Sequence, residues 1–133
     1  MTFSVKTIVQ RIEQNLRSGE VSIPATAHAN LVKGNVVAID VTTGATAAPA
    51  DNDRLGFFGV AAHSIALGEE GKFIIRGFVD VMTGDTSDAG TFMNPMEDMM
   101  VNTVATQTDG NGFCKLLEAG VDGHVKKALI VNQ

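Results

Sequence analysis

The chain reads as short apolar runs broken by glycine and small polar residues. Leu31-Val32-Lys33-Gly34-Asn35-Val36-Val37-Ala38-Ile39, Leu55-Gly56-Phe57-Phe58-Gly59-Val60-Ala61, Lys72-Phe73-Ile74-Ile75-Arg76-Gly77-Phe78-Val79-Asp80-Val81 and Val125-Lys126-Lys127-Ala128-Leu129-Ile130-Val131 are β-branched or aromatic and are bounded by Gly, Asp, Asn or Thr. Such runs between turn formers predict strands. We expect them over 36–41, 55–61, 72–82 and 125–131. Val21-Ser22-Ile23-Pro24 alternates briefly, and Pro24 marks an edge or a strand end because proline donates no ladder hydrogen bond. Thr108-Asp109-Gly110-Asn111-Gly112 contains both Asp-Gly and Asn-Gly, which tolerate positive φ. It predicts a hairpin joining 101–107 to 113–118. The whole pattern is that of a mainly β protein, a small β-barrel or β-sandwich.

Three stretches break this rhythm. Residues 42–53 are poor in large apolar groups and rich in turn formers, so they predict an exposed loop or a loosely held strand. Residues 92–100 hold four of the six methionines and predict either a loop with soft apolar contacts or a short helical turn. Residues 1–20 have a different period. Val5, Ile8, Val9, Ile12 and Leu16 recur at helical spacing with polar residues between them; Ser4 can cap the start and Gly19 the end. This predicts an N-terminal amphipathic helix or arm over 1–20, then one β-rich domain over 21–133. A helix this short is marginal in water. Its stripe therefore rests on the domain's own core or on another subunit.

At 133 residues the chain is long enough for one domain and one core. Its seven aromatic residues are all Phe, so a partner surface would draw on area and backbone pairing more than on Trp or Tyr anchors. The net charge is −5, and the ten Lys and Arg are scattered, with Lys126-Lys127 the only adjacent pair. Nucleic-acid backbones are bound by concentrated basic residues, so no nucleic-acid partner is expected. No segment approaches the ~20 apolar residues of a membrane span, and no signal peptide is evident. The expected setting is a soluble, reducing compartment, without a membrane partner.

Candidate chemistry is sparse. Cys114 lies in an apolar strand-like run and reads as a small buried hydrophobe; a nucleophile would need a His and an orienting group near it. His28, His63 and His124 each stand alone, outside any zinc-ligand spacing. Asp51-Asn52-Asp53 and Asp85-Thr86-Ser87-Asp88 are oxygen-rich but lack the calcium-loop pattern. Glu69-Glu70 and Glu97-Asp98 are adjacent carboxylates, which on a strand point to opposite faces and suit solvated turns better than an acid–base couple. The glycine-rich turns open strands, whereas a phosphate cradle needs a helix. These readings disfavour an enzyme and give no cofactor and no metal site.

The order of segments resembles the capsid decoration, or cement, proteins of tailed phages. The opening strand Leu31-Val32-Lys33-Gly34-Asn35-Val36-Val37 is similar to theirs. So is the stretch Gly59-Val60-Ala61-Ala62-His63-Ser64-Ile65-Ala66-Leu67-Gly68-Glu69-Glu70-Gly71-Lys72-Phe73-Ile74-Ile75-Arg76-Gly77-Phe78-Val79, where a Gly-Val-Ala strand, a small-residue turn and a strand ending near Gly-aromatic-Val come in succession. The run from Gly112 to Val131 looks like the family's last hairpin. The likeness spans about residues 31–131, and residues 1–20 depart from the shortest members. It implies a β-tulip-like domain on the outside of an icosahedral head, made in the host cytoplasm and carried in the virion. The implied partners are the major capsid protein and further copies of itself, as a homotrimer.

For that assembly role two surfaces stand out. One is the stripe of Val5, Ile8, Ile12 and Leu16. The other is the 44–53 loop together with Met93, Met96 and Met99, because methionine adapts to quasi-equivalent sites. A phage tail, spike or fibre-base β-domain is the alternative, and a small-ligand-binding β-barrel a more distant one.

Overall fold

The computed structural model describes residues 20–51, 56–104 and 112–131. The expected helix or arm lies, up to residue 19, outside the described residues. So does most of the 108–112 turn.

Among the described residues the secondary structure is all strand: β1 (Val21–Thr26), β2 (Val36–Ile39), β3 (Thr46–Ala47), β4 (Phe58–Ala61), β5 (Glu70–Met82), β6 (Phe92–Pro95), β7 (Val101–Thr103), β8 (Cys114–Leu116) and β9 (Val125–Ile130). They form one antiparallel sheet in the order β3-β2-β4-β5-β9-β8-β6-β7, with β1 paired to β5 off that path. The mainly β fold is as expected. The sheet curls at both ends, and each end returns on itself through a parallel bridge. Thr26 bridges Ala45, bringing β1 back beside β3, and Thr83 bridges Val101, bringing the end of β5 back beside β7.

Strand β5 belongs to both halves. Its 13 residues pair with β1 and β4 through Glu70 to Arg76, and with β9 from Gly77 to Met82. The change of partner coincides with a bulge. Consecutive Val21 and Ser22 face Arg76 and Ile74, so Ile75 is the extra residue on β5. Next comes Gly77 at φ 98°, in the left-handed region that favours glycine. Side-chain parity shifts here: Ile74 packs toward the same core as Val79 and Val81, five and seven residues on. A strand without the bulge would keep residues of one parity on one face.

Two cores result. One gathers Leu31, Val37, Ile39, Ala61, Ile65 and Phe73; the other gathers Val36, Phe58, Val60, Val79, Val81, Met93, Phe113, Cys114, Leu116 and Ile130. Strands β2 and β4 form the wall between them. Val36 faces one core and Val37 the other, which is why Val36-Val37-Ala38-Ile39 is continuously apolar and alternation is lost. Gly59 on β4 lets the wall close up. A Cβ there would stand 2.6 Å from Ile39 Cδ1 and 2.9 Å from Phe73 Cβ.

Two expectations need correction. Residues 92–100 begin with a true strand, β6, where we expected a loop or helical turn. Asn94 explains how a polar residue sits there: its buried Oδ1 accepts the Phe113 N–H at 3.1 Å. Among the described residues, the segments either side of the 108–112 turn also do not pair with each other. Both β7 and β8 pair with β6, which lies between them. Among its described residues, the 42–53 region contributes only the two-residue strand β3.

Candidate interaction surface

Cys114, His28, His63 and Asp40 each have a defined setting in the fold. Cys114 is fully buried, and desolvation pushes its thiol up to about 12, so it does not supply a thiolate near neutral pH. His28 and Thr46 share a network in which the Thr46 hydroxyl donates to Thr26 O at 2.9 Å and accepts from the His28 backbone N–H. With its one proton used, that hydroxyl also accepts from His28 Nδ1 at 2.8 Å. His63 donates from Nδ1 to Ser64 O, and its Nε2 accepts the Lys72 N–H at 3.3 Å. Asp40 accepts the backbone N–H groups of Thr42 and Thr43, which hold its carboxyl below the usual range. Among the described residues no three His, Cys, Asp or Glu side chains gather as a metal site.

The feature that departs from an ordinary solvated surface is the outer face of β5, β9 and β8. Alternation on these strands sends Val79, Val81, Ala128, Ile130, Cys114 and Leu116 inward. The outward set should then be polar on an antiparallel sheet with one wet face. Instead Phe78 lies opposite Leu129, Met82 lies opposite Val125, and the Leu117 N–H reaches Lys127 O on the same strand. Phe78 is 52% exposed, Leu117 48% and Val125 41%. Polar residues frame them: Asp80 is opposite Lys127 in the ladder, and Lys33 Nζ stands 3.2 Å from Asp80 Oδ2.

This face opens into a groove of about 540 Å³ whose lining includes Glu20, Lys72, Ile74, Phe78, Leu117 and Lys127. Glu20 Oε1 stands 3.1 Å from Lys72 Nζ at its edge. Both ion pairs are largely solvent-exposed and add little stability. The groove thus combines apolar and charged lining residues.

Of the residues singled out from the sequence, the structure describes Met93, Met96 and Met99. Val5, Ile8, Ile12 and Leu16 lie outside the described residues. Met93 has no exposed surface, because inward alternation on β6 buries it in the core. Met96 and Met99 are half-buried in the turn after β6, where Met99 takes φ 64° and its carbonyl accepts the Val36 N–H. Phe78, Leu117 and Leu129 were not anticipated. Their signal was present in Gly77-Phe78-Val79-Asp80-Val81, where apolar residues occupy both parities of a strand that also carries charge.

No family model matches the chain, and no curated protein matches it in sequence. Among solved structures, the fold is similar to the head fiber gp8.5 N base of bacteriophage phi29, at 16% identity and a TM-score of 0.65. The match covers 84% of this chain and 94% of that one.

Proposed function

We propose that the chain is a structural protein of a bacteriophage head that binds the outer surface of the icosahedral shell and stabilises it. The observation that carries this reading is the likeness of fold to the phi29 head fiber base, which extends over 84% of this chain and 94% of that one. The resemblance of residues 31–131 to phage decoration proteins points the same way. A protein repeated over a shell needs only modest affinity per copy where each copy bridges neighbouring subunits. The major capsid protein and further copies of this chain, as a homotrimer, are the partners this role requires.

A second reading, the base of a head fibre, is favoured by the phi29 neighbour itself, which is such a base. The two roles share the docking step and differ in its consequence. A decoration protein raises the shell's resistance to heat or osmotic shock, whereas a fibre base carries a further segment without that gain.

Light scattering on the purified chain, and then sedimentation with empty heads, tests the proposal. We expect saturable co-sedimentation at a fixed number of copies per head and greater head survival on heating. Saturable binding without greater survival favours the fibre base. A chain that stays in the supernatant overturns both.

A further inference from the structure

The outer face of β5, β9, β8 and β6 carries one row of side chains that runs across all four strands. Phe78 lies opposite Leu129, Leu129 opposite Lys115, and Lys115 opposite Phe92. The Lys115 Nζ stands 5.4 Å from the centre of the Phe92 ring, so its methylene stem carries the apolar row from Leu129 to Phe92. Four strands make the row about 14 Å long. We infer that a second copy of this chain docks on this face, offering the acidic, methionine-bearing turn that follows β6. The inference builds on the self-association in the proposed role and needs no head to be tested.

Charge supplies the argument for a second copy. The described Lys and Arg are Lys33, Lys72, Arg76, Lys115, Lys126 and Lys127. All but Lys33 belong to β5, β8 or β9, and Lys33 joins them through its ion pair with Asp80. The chain as a whole has 15 acidic residues against ten basic ones, so carboxylates prevail away from these strands. One group of them forms a knob. The Glu97 N–H donates to Asp51 Oδ1 at 3.0 Å, which brings exposed Asp51 beside exposed Glu97 and Asp98. Met96 and Met100 are half-buried in the same turn.

The two surfaces match in kind. A protein of net charge −5 repels its own copies unless patches of opposite sign meet. The knob's carboxylates answer Lys115 and Lys127, and its adaptable methionines suit Phe78, Leu117 and Leu129. A sheet face with a half-exposed Phe loses by staying wet. An unrelated acidic partner would account for the face alone, whereas a second copy accounts for both patches. Each copy offers one of each, which lets the contacts close into a ring.

Light scattering on the full chain at low salt tests this. We expect a mass at least twice the 14.0 kDa of one chain, falling toward one chain as salt rises. Lys115→Glu with Lys127→Glu should weaken association about tenfold or more, and Glu97→Lys with Asp98→Lys should do the same. Mixing the two variants should restore it, because a native knob then meets a native face and the reversed charges also pair. Buried Cys114, unreactive toward maleimide in each variant, reports that the fold is intact. A monomeric native chain overturns the inference, as does association that either variant leaves unchanged or that mixing fails to restore. A face variant that keeps its mass but no longer sediments with heads assigns the face to the shell and overturns docking of a second copy. A native chain that assembles as expected yet ignores heads ends the proposed role and leaves this inference standing.

Discussion

The Thr46 hydroxyl donates to the carbonyl of Thr26 at 2.9 Å, at the seam where β1 returns to β3. Thr46 is buried, and the same oxygen accepts from His28, so one side chain joins the two strands and the loop after β1. Thr83 plays the matching part at the other seam. Its buried hydroxyl stands 2.6 Å from Val121 O, and its backbone bonds the 123–124 turn. Each curled half therefore closes beside a buried threonine. Thr46→Val keeps the shape and removes the hydroxyl, stranding the Thr26 carbonyl and a His28 donor. We expect a loss of about 1–3 kcal/mol for each of Thr46→Val and Thr83→Val, measured by urea unfolding. The two hydroxyls share no hydrogen-bond partner, so the double variant should be additive within about 0.5 kcal/mol.

Gly77 takes φ 98° just after the bulge, where β5 exchanges β1 and β4 for β9. An L side chain there is strained by about 1–2 kcal/mol. Gly77→Ala should lower stability by at least that much. Gly59→Ala acts differently, through the approach of Ile39 and Phe73, and should cost about 1–3 kcal/mol by overpacking. Pairing it with Ile39→Val, which removes the Cδ1 atom in closest approach, should recover part of the loss. The same substitution should give Gly77→Ala no relief. Urea midpoints of the four variants decide both points.

These two glycines also show what the sequence could and could not convey. Strands β2, β4, β5 and β9 were legible because each is a β-branched run ended by turn residues. The split of one strand between two cores was not: Ile74-Ile75 looks like ordinary buried strand until the register with Val21 and Ser22 is known. Strand β6 was missed because Asn94 and Pro95 argue against a strand locally, and the long-range bond that the Asn94 amide oxygen accepts from Phe113 cannot be read from the sequence. The Asp-Gly and Asn-Gly signals fall almost wholly outside the described residues, and they did not reveal that β6 lies between β7 and β8. A turn motif fixes local backbone and leaves the pairing partner open. The outer face of β5 was hidden for a related reason, since exposure of Phe78 depends on which strands flank it.

The ion pair of Lys33 with Asp80 spans the loop before β2 and the middle of β5, yet both side chains remain well exposed. Such a pair gains little in water and pays for side-chain ordering. Asp80→Asn should therefore shift stability by less than about 1 kcal/mol, and raising salt should erase the difference. A larger, salt-insensitive loss in thermal unfolding would show that Asp80 supports the sheet by another route.

Cys114 gives the fold a pH dependence of definite sign. Burial raises its thiol from an ordinary 9.0 to about 12 in the folded chain. Below about pH 9 the thiol keeps its proton in both states, and its contribution to stability is fully present. Between 9 and 12 the unfolded chain releases that proton while the folded chain holds it, so stability falls as pH rises through this window. Cys114→Ala removes the effect and loses about 1–2 kcal/mol with the buried sulfur. Urea midpoints from pH 8 to 11 should fall more steeply for the native chain than for Cys114→Ala, narrowing the gap between them. Cys114→Ser should be the least stable of the three at pH 8, because its hydroxyl enters an apolar site among Val79, Met93 and Ile130. Parallel slopes for native and alanine chains would place the alkaline loss in other groups.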